Sequence, residues 1–253
     1  MTQGEILRLD LPDILSAALV PGKKRPLHGR PPDVHCSDAL LISRAVPVVA
    51  VADGPERNPV ASSSFLAKFD DALAVSGIRF DDRPAADSLI AVVDIVTALM
   101  KTIDYHDSTT FSALIPVTDG PTPAGIVLHT GDSLIFRLNR ATGGVSQISR
   151  TSHVLVGRAP ALFQTEIVAF DPDDLVVLAS DGITDLARTR GVGPAALLSA
   201  PGPVRSPAAV VELILDSAAG ARVRLDDITI VCAAVGALSI RAVDPHNRRV
   251  ILT

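Results

Sequence analysis

The stretch DDLVVLASDGITD, residues 173–185, places five consecutive apolar residues between acidic ones. A short apolar run bounded by turn residues is typical of a buried β-strand, here Leu175–Ala179, and the acidic residues 171–174 form the turn before it. Asp181 follows this strand almost directly. A carboxylate beside buried apolar backbone is costly unless it is paired or binds a cation, which makes Asp181 a candidate metal ligand.

Four other aspartates stand at the edge of an apolar run, usually beside a small or hydroxyl residue. They are Asp38, Asp53, Asp132 and Asp226. Each one alone is also explained by a turn, because Asp and Gly both adopt turn conformations readily. Several such carboxylates meeting at one place would require cations, and oxygen ligands suit Mg²⁺ or Mn²⁺ better than zinc.

The rest of the chain alternates hairpin-spaced strands with separate helices, which favours an α+β layered fold over regular βαβ alternation. Helices are expected between the signals Asn58-Pro59 and Gly77, over about 87–105, and between Ser206-Pro207 and Gly220. Strands are expected at 34–44, 48–52, 110–117, 125–130, 133–139, 145–148 and 228–235. No repeat or long linker divides the sequence, so a single domain over residues 1–253 is expected.

Composition excludes several classes of function. The 253 residues carry a net charge of −5 and include no Trp, which disfavours nucleic acid as a partner. The longest apolar stretches fall far short of a membrane span, and the N-terminus lacks an export signal, so a cytoplasmic protein without a membrane partner is expected. Cys36 and Cys232 form no CxxC pair, which predicts buried, reduced thiols.

Six stretches resemble, in the same order along the chain, motifs of the metal-dependent protein phosphatases of type 2C. The resemblance is to a small bacterial form of this family with a shortened flap. The stretch 173–185 is the most similar, and its Ser-Asp-Gly is the most specific motif. The stretches are 34–41, 48–54, 109–114, 129–133, 173–185 and 226–231. Together they extend over nearly the whole chain.

The resemblance implies a four-layer α-β-β-α sandwich of two antiparallel sheets flanked by helix pairs, with two divalent ions, Mn²⁺ or Mg²⁺, at one end. It implies hydrolysis of phosphoserine or phosphothreonine in proteins, by in-line attack of water on phosphorus. A phosphoprotein substrate, and a cognate kinase or its target, are the expected partners.

The resemblance also assigns roles to single residues. Asp53 would bridge the two ions, and the carbonyl of Gly54 would bind one of them. Asp181 and Asp226 would hold the other ion, and Asp38, also counted among the metal-site residues, would position metal-bound water. A weaker third ion would lie at Asp132, together with Asp181.

Four features depart from the pattern of the type 2C family. Ser37 stands where relatives carry Glu or Gln, and Asp227 stands where they carry Asn. Residues 55–57 replace a glycine-rich loop, and only residues 149–164 are left for the flap. These departures point to altered metal affinity and substrate access.

The arginine that contacts phosphate in relatives is also missing at its usual spacing, where this chain has Asp33. Arg30 and Arg57 are the candidates to replace it, because a guanidinium binds phosphate through two parallel hydrogen bonds. An exposed surface arginine without that role is the alternative for each.

Two other readings of the function stay open. A phosphatase-like regulatory or binding module would keep the fold and lose turnover. A hydrolase of the haloacid dehalogenase type would use an aspartyl-phosphate at Asp171, in the sequence Asp171-Pro172-Asp173.

Overall fold

The computed structural model describes residues 6–22, 36–43, 46–55, 58, 60–119, 122–199, 206–221, 226–238 and 249–252. The strands within them are β1 (Leu7–Leu11), β2 (Leu15–Val20), β3 (Asp38–Ser43), β4 (Val48–Asp53), β5 (Phe111–Asp119), β6 (Thr122–Thr130), β7 (Leu134–Leu138), β8 (Val145–Gln147), β9 (Gln164–Ala169), β10 (Leu175–Ala179), β11 (Ile228–Ala234) and β12 (Arg249–Leu252). The helices are α1 (Ala61–Ser76), α2 (Ala85–Met100), α3 (Gly182–Thr189), α4 (Pro194–Leu198), α5 (Pro207–Ala219) and α6 (Val235–Leu238).

The strands form two antiparallel six-stranded sheets. The first has the order β1-β2-β11-β10-β7-β8, and the second has the order β12-β3-β4-β5-β6-β9. β10 lies at the centre of the first sheet, where Ala179 pairs with Leu134 on one side and with Ile230 on the other. In the second sheet, β3 and β4 pair so that Asp38 lies opposite Asp53.

Three hydrophobic clusters separate four layers, as the family resemblance implies. Helices α1 and α2 pack on the outer face of the second sheet, around Phe65, Phe69 and Phe111. Helices α3, α4 and α5 cover the outer face of the first sheet. The third cluster fills the space between the sheets and includes Leu40 and Val51. The predicted α+β sandwich is therefore confirmed.

The alternation of side chains along each strand decides which polar groups enter the space between the sheets. Leu40 and Val51 face this space, and Asp38 and Asp53 lie two residues away from them on β3 and β4. Successive side chains in a strand point to opposite faces, so both aspartates face the same space as the leucine and the valine. Thr229 on β11 lies two residues before Val231, which faces this space, and therefore points the same way. The inter-sheet layer therefore changes from apolar to polar at one end.

Most of the expected elements are present, with shifted boundaries. The strand Leu175–Ala179 agrees residue for residue, and the Ser206 hydroxyl caps α5 by accepting a hydrogen bond from the amide of Ala209. Gly77 ends α1 in a left-handed conformation, at φ 63°. Asn58, expected to cap α1, instead donates its side-chain amide to Asp107 at 2.6 Å, and the helix begins three residues later, at Ala61.

Two further groups of elements were not expected. The hairpin β1-β2 and the strand β9 lie at or near the sheet edges, and β1 alternates only between half-buried and exposed residues, so its apolar pattern is weak. The helices α3 and α4 have only 8 and 5 residues, too few to show a clear helical period in the sequence. α2 ends at Met100 rather than near residue 105, because Asp104 caps a separate short 3₁₀ turn at Tyr105–Asp107.

Two smaller findings complete the fold. Cys36 and Cys232 are both buried and free, as predicted. Within the described parts of the chain, none of the helices combines the length and the apolar character that crossing a membrane requires.

The end of β10 opposite Asp181 carries a buried ion pair. Asp174 is fully buried, and its carboxylate lies 2.5 Å from the guanidinium of Arg137 and accepts the backbone N–H of Asp171 at 2.8 Å. Arg137 also contacts the exposed Asp171 carboxylate at 2.7 Å. Removing one partner of such a pair leaves the other charge partly buried and uncompensated.

We predict that Asp174→Asn lowers the free energy of unfolding by about 2 kcal/mol, below the usual cost of breaking a fully buried pair because Arg137 is partly exposed. Urea denaturation measures this change. The exposed neighbour Asp173 provides the control, since Asp173→Asn should stay within about 0.5 kcal/mol of wild type. Equal stability of the two variants would contradict the assignment of a buried pair.

Candidate metal centre

Three carboxylates from separate segments converge at the polar end of the sandwich. Asp53 ends β4, Asp132 lies in the turn after β6, and Asp181 follows β10. One oxygen from each lies within 4.8 Å of the others. Asp53 and Asp181 are half-buried and Asp132 is exposed, so the cluster opens to solvent on the side of Asp132.

Asp38 adds a fourth carboxylate behind this cluster. It is 1% exposed and pairs with Asp53 across β3 and β4. Its Oδ2 atom has no hydrogen-bond partner among the described residues. A buried carboxylate oxygen without a donor is unfavourable, and a cation or an ordered water is the usual remedy.

The backbone around Asp53 is held by two threonines. The carbonyl of Asp53 accepts the N–H of Thr110 at 2.9 Å and the hydroxyl of Thr109 at 2.7 Å. The N–H of Asp53 in turn donates to the Thr110 hydroxyl at 2.9 Å, and that hydroxyl also contacts Ser133 at 2.8 Å. The Thr-Thr segment before β5 therefore fixes the end of β4, and Ser133 connects it to the turn that carries Asp132.

A second set of contacts places Asp181 beside the start of β11. Ser180 donates its N–H to the carbonyl of Thr229, and the N–H of Thr229 donates to the Ser180 hydroxyl, both at 2.9 Å. Gly182 lies directly against the backbone of Asp227, where an added Cβ would be 2.0 Å from the carbonyl oxygen. Only glycine permits this approach, which brings the Ser-Asp-Gly turn next to residues 226 and 227.

Mutual repulsion and burial shift the protonation of the cluster. Burial, together with the charges of Asp38 and Asp181, raises the pKa of Asp53 to about 10. Burial also raises the pKa of Asp38 to about 7, with the Asp227 charge adding to it. The pKa of Asp181 rises to about 6 because of burial and the charges of Asp132 and Asp226. Like charges at this spacing cannot all ionise without a counter-charge.

The donor set fits hard divalent cations. Asp53, Asp132 and Asp181 all offer carboxylate oxygens, and the Oδ2 of Asp38 behind them lacks a partner among the described residues. Mg²⁺ and Mn²⁺ take such ligands together with water, whereas zinc favours His and Cys. The cluster can therefore hold divalent ions, which would supply the missing counter-charge.

The structure brings most of the sequence-predicted residues to this end. Asp226 is exposed at the rim, where its Oδ1 accepts the N–H of Asp227 at 2.8 Å, and its charge acts on Asp53 and Asp181. Gly54 is buried and donates its N–H to the carbonyl of Ser37 at 3.1 Å. Arg30 and Arg57 lie outside the described residues.

The sequence did not decide whether the Asp227 side chain lies near the metal ligands or faces solvent. It is 2% exposed and belongs with Cys36 and Asp38 to a second group, whose potential ligand atoms also lie within 4.8 Å of one another. Two consecutive acidic residues at the start of a strand indicate that one of the two side chains points inward. Which one does so depends on the register of the strand, and the sequence alone does not fix it.

The short connection between β8 and β9 is fastened beside the cluster. Ser152 donates its N–H to the carbonyl of Gly131 at 2.7 Å, and the Thr130 hydroxyl donates to the carbonyl of Val154 at 2.8 Å. Val156 forms an isolated bridge with Thr109. The connection is thus held against the turn that carries Asp132, in the position expected for the shortened flap.

His129, on β6, is a hydrogen-bonded histidine. It is fully buried, its Nδ1 contacts the Ser112 hydroxyl at 2.8 Å, and burial lowers its pKa to about 4. A neutral buried imidazole with this partner belongs to the packing between the sheets.

Known proteins resemble this chain in sequence and in fold. The family model described as Stage II sporulation protein E (SpoIIE) matches residues 73–236, more than half of the chain. A search of curated proteins found no match. The match begins within α1 and ends just after β11, so it includes Asp132, Asp181 and Asp226.

Solved phosphatase structures share the fold at low sequence identity. The serine/threonine phosphatase PstP/Ppp of Mycobacterium tuberculosis is 18% identical, with a TM-score of 0.56 over 88% of this chain and 99% of that one. The serine/threonine phosphatase of S. agalactiae is 19% identical, with a TM-score of 0.59 over 91% and 99%. The catalytic domain of PstP in complex with two manganese ions is 17% identical, with a TM-score of 0.54 over 87% and 98%.

We predict that Gly182→Ala lowers the free energy of unfolding by about 2 kcal/mol, because its Cβ would displace the backbone of Asp227. Urea denaturation measures the loss. Gly193 serves as the control, since nothing lies within 4 Å of a Cβ at that position. Gly182→Ala as stable as Gly193→Ala would mean that the close approach is absent.

We also predict that the metal-free protein loses stability as the pH rises from 5 to 9. Carboxyls whose folded pKa is raised bind more protons in the folded state, so their contribution is complete below the unfolded pKa, near 4, and is lost through the folded pKa. Denaturation in a chelator at both pH values measures the decrease, expected to be about 1 kcal/mol or more.

The variant Asp53→Asn isolates this effect from other titrating groups. It removes the carboxyl with the most strongly raised pKa, so its stability should fall less between pH 5 and 9 than that of wild type. An equal fall in both proteins would show that the cluster does not repel itself as described.

Proposed function

The chain belongs to the SpoIIE family of type 2C-like bacterial serine/threonine phosphatases, and on this basis we propose that it hydrolyses phosphoserine and phosphothreonine in proteins, with two divalent ions, Mn²⁺ or Mg²⁺. One observation carries the proposal: the carboxylates of Asp53, Asp132 and Asp181 converge within 4.8 Å although they come from three separate segments. Like charges held this close repel one another, and bound cations would balance them.

Different residues of the carboxylate cluster would hold different ions. Asp53 would serve both ions, Asp181 and Asp226 would hold one of them, and the carbonyl of Gly54 would hold the other. Asp132, together with Asp181, would hold a weaker third ion. When bound, the ions supply Lewis acidity, which lowers the pKa of coordinated water and neutralises the phosphate oxygens.

Asp38 orients the nucleophile. It is fixed opposite Asp53 by the strand register, and its Oδ2 is free of other donors among the described residues. A water molecule that donates to this oxygen is held for in-line attack on phosphorus. The water oxygen bonds to phosphorus, the ester bond to the serine or threonine oxygen breaks, and the leaving oxygen takes up the proton that the water loses.

Covalent catalysis by cysteine does not fit the described residues. Cys36 and Cys232 are both buried, and burial raises the pKa of each thiol above its ordinary value. The thiolate is the reactive form, so these cysteines are poor nucleophiles. Direct attack by water is the route that remains consistent with the carboxylate cluster.

The surroundings of the cluster indicate how a substrate reaches it. Asp132 is exposed, and the connection between β8 and β9 is short, so the described residues form no large lid over the mouth of the site. A phosphorylated segment of a folded protein can approach such a mouth. A phosphoprotein is the proposed partner, together with a kinase that acts on the same substrate; neither nucleic acid nor a membrane is required.

A second function is favoured by one contact. The Ser37 hydroxyl donates to Asp227 at 3.0 Å, so the side chain next to Asp38 is turned to a neighbouring carboxylate. Relatives place a longer acidic or amide side chain at this position. If metal binding is weak for this reason, the domain acts as a phosphatase-like binding module that recognises phosphoproteins without turning them over.

We predict Mn²⁺-dependent hydrolysis of p-nitrophenyl phosphate and of a phosphothreonine peptide. Asp53→Asn and Asp181→Asn should each lower the rate by about 100-fold or more, because each removes a charge that balances the ions in the transition state. The rate of phosphate release in the presence and absence of Mn²⁺ measures both effects.

The control is Asp173→Asn, an exposed aspartate at the other end of β10, which should keep the wild-type rate. Activity that survives both site substitutions would come from a contaminant and count against the proposal. Folded wild-type protein without turnover, across metals and pH, would favour the binding module.

A further inference from the structure

The carboxylate of Asp227 accepts hydrogen bonds from two separate segments within the described part of the chain. Its Oδ1 accepts the N–H of Gly22 at 2.6 Å, and its Oδ2 accepts both the N–H and the hydroxyl of Ser37, at 2.8 and 3.0 Å. Gly22 follows β2, Ser37 precedes β3, and Asp227 precedes β11. The buried carboxylate therefore joins the first sheet to the start of β3 in the second.

Ser37 is itself hydrogen-bonded to residues beside the metal centre, so the restraint on Ser37 also acts on them. Its carbonyl accepts the N–H of Gly54 at 3.1 Å and the hydroxyl of Ser62 at the start of α1. A Cβ on Gly54 would lie 2.9 Å from the same carbonyl, so the two backbones are in direct contact. Ser37 is bonded to Asp38, and Gly54 is bonded to Asp53. Fixing the Ser37 peptide therefore restrains both aspartates.

The chemistry of this contact requires a carboxylate at position 227. Three donors in the described part of the chain point at it, and an ionised Asp offers two acceptor oxygens. An Asn has one acceptor oxygen and an NH₂ group, which would face either the N–H of Gly22 or the donors of Ser37. Asn therefore loses at least one hydrogen bond and places donor against donor in a buried position.

We propose that Asp227 is a positioning residue, which binds no ion itself but holds the Ser37 peptide so that Asp38 and Gly54 are set for divalent ions. The inference rests on the proposed function, since it concerns the same metal centre. It also joins two departures from the type 2C pattern, at positions 37 and 227, in one contact.

The first test measures Mn²⁺ binding by calorimetry, without substrate, on wild type, Asp227→Asn and the matched variant Asp174→Asn. We expect Asp227→Asn to weaken Mn²⁺ affinity by about 10-fold to 100-fold with unchanged stoichiometry, as is usual when a group that orients ligands is removed. Asp174→Asn also removes a buried carboxylate that accepts a backbone N–H, but at the far end of β10. It should keep the affinity within about twofold.

Amide hydrogen exchange of the metal-free proteins gives a readout that does not depend on metal. The N–H of Gly54 should exchange faster in Asp227→Asn than in wild type, and at an unchanged rate in Asp174→Asn. Unchanged affinity, or unchanged Gly54 exchange, in Asp227→Asn would overturn the proposal. A lost ion would also overturn it, because Asp227 would then be a ligand.

A second variant tests the contact between positions 37 and 227. Ser37→Glu places a carboxylate against that of Asp227, so alone it should weaken Mn²⁺ binding. Asp227→Asn removes the repulsion, so Ser37→Glu/Asp227→Asn should bind Mn²⁺ more tightly than Ser37→Glu alone. Independent effects of the two changes would show that the positions are not coupled.

The outcomes separate this inference from the proposed function. Wild-type protein that binds Mn²⁺ with the same affinity as Asp227→Asn would refute the positioning role alone. Wild-type protein that binds no Mn²⁺ would refute the metal-dependent phosphatase, and the positioning role with it.

Discussion

Repulsion among buried and half-buried carboxylates at one end of the sandwich is the constraint on which the rest of the structure depends. Asp38, Asp53 and Asp181 all have a raised pKa because burial and like charges oppose their ionisation. A fold that holds such groups together spends stability on them when no cation is bound. The large apolar layers on both faces of each sheet supply the stability that permits this arrangement.

Antiparallel register is what brings the acidic residues together. Asp38 lies opposite Asp53 because β3 and β4 form a hairpin, and the strand alternation turns both toward the space between the sheets. Asp181 reaches the same place from the other sheet, because the Ser180 backbone is hydrogen-bonded to Thr229. The carboxylate cluster is therefore a product of both sheets at once, and neither sheet alone could form it.

The sequence predicted the strand Leu175–Ala179, the layered α+β fold and a carboxylate cluster, because apolar runs and acidic strand ends are local signals. It did not predict the contact of Ser37 with Asp227, since the two residues are 190 positions apart and meet only through sheet packing. The start of α1 was misplaced because Asn58 bonds to Asp107, a tertiary contact that overrides its capping preference. The weak pattern of β1 reflects its place at a sheet edge.

Divalent ions are proposed to bind where the carboxylates converge. Anomalous X-ray diffraction from crystals grown with Mn²⁺ tests this proposal most directly, because the anomalous signal locates manganese without any assumption about activity. The account predicts two manganese peaks at the polar end of the sandwich, with the Asp53 carboxylate between them and Asp181 bound to one. Manganese that is absent there, or ordered only at surface carboxylates elsewhere, would contradict it.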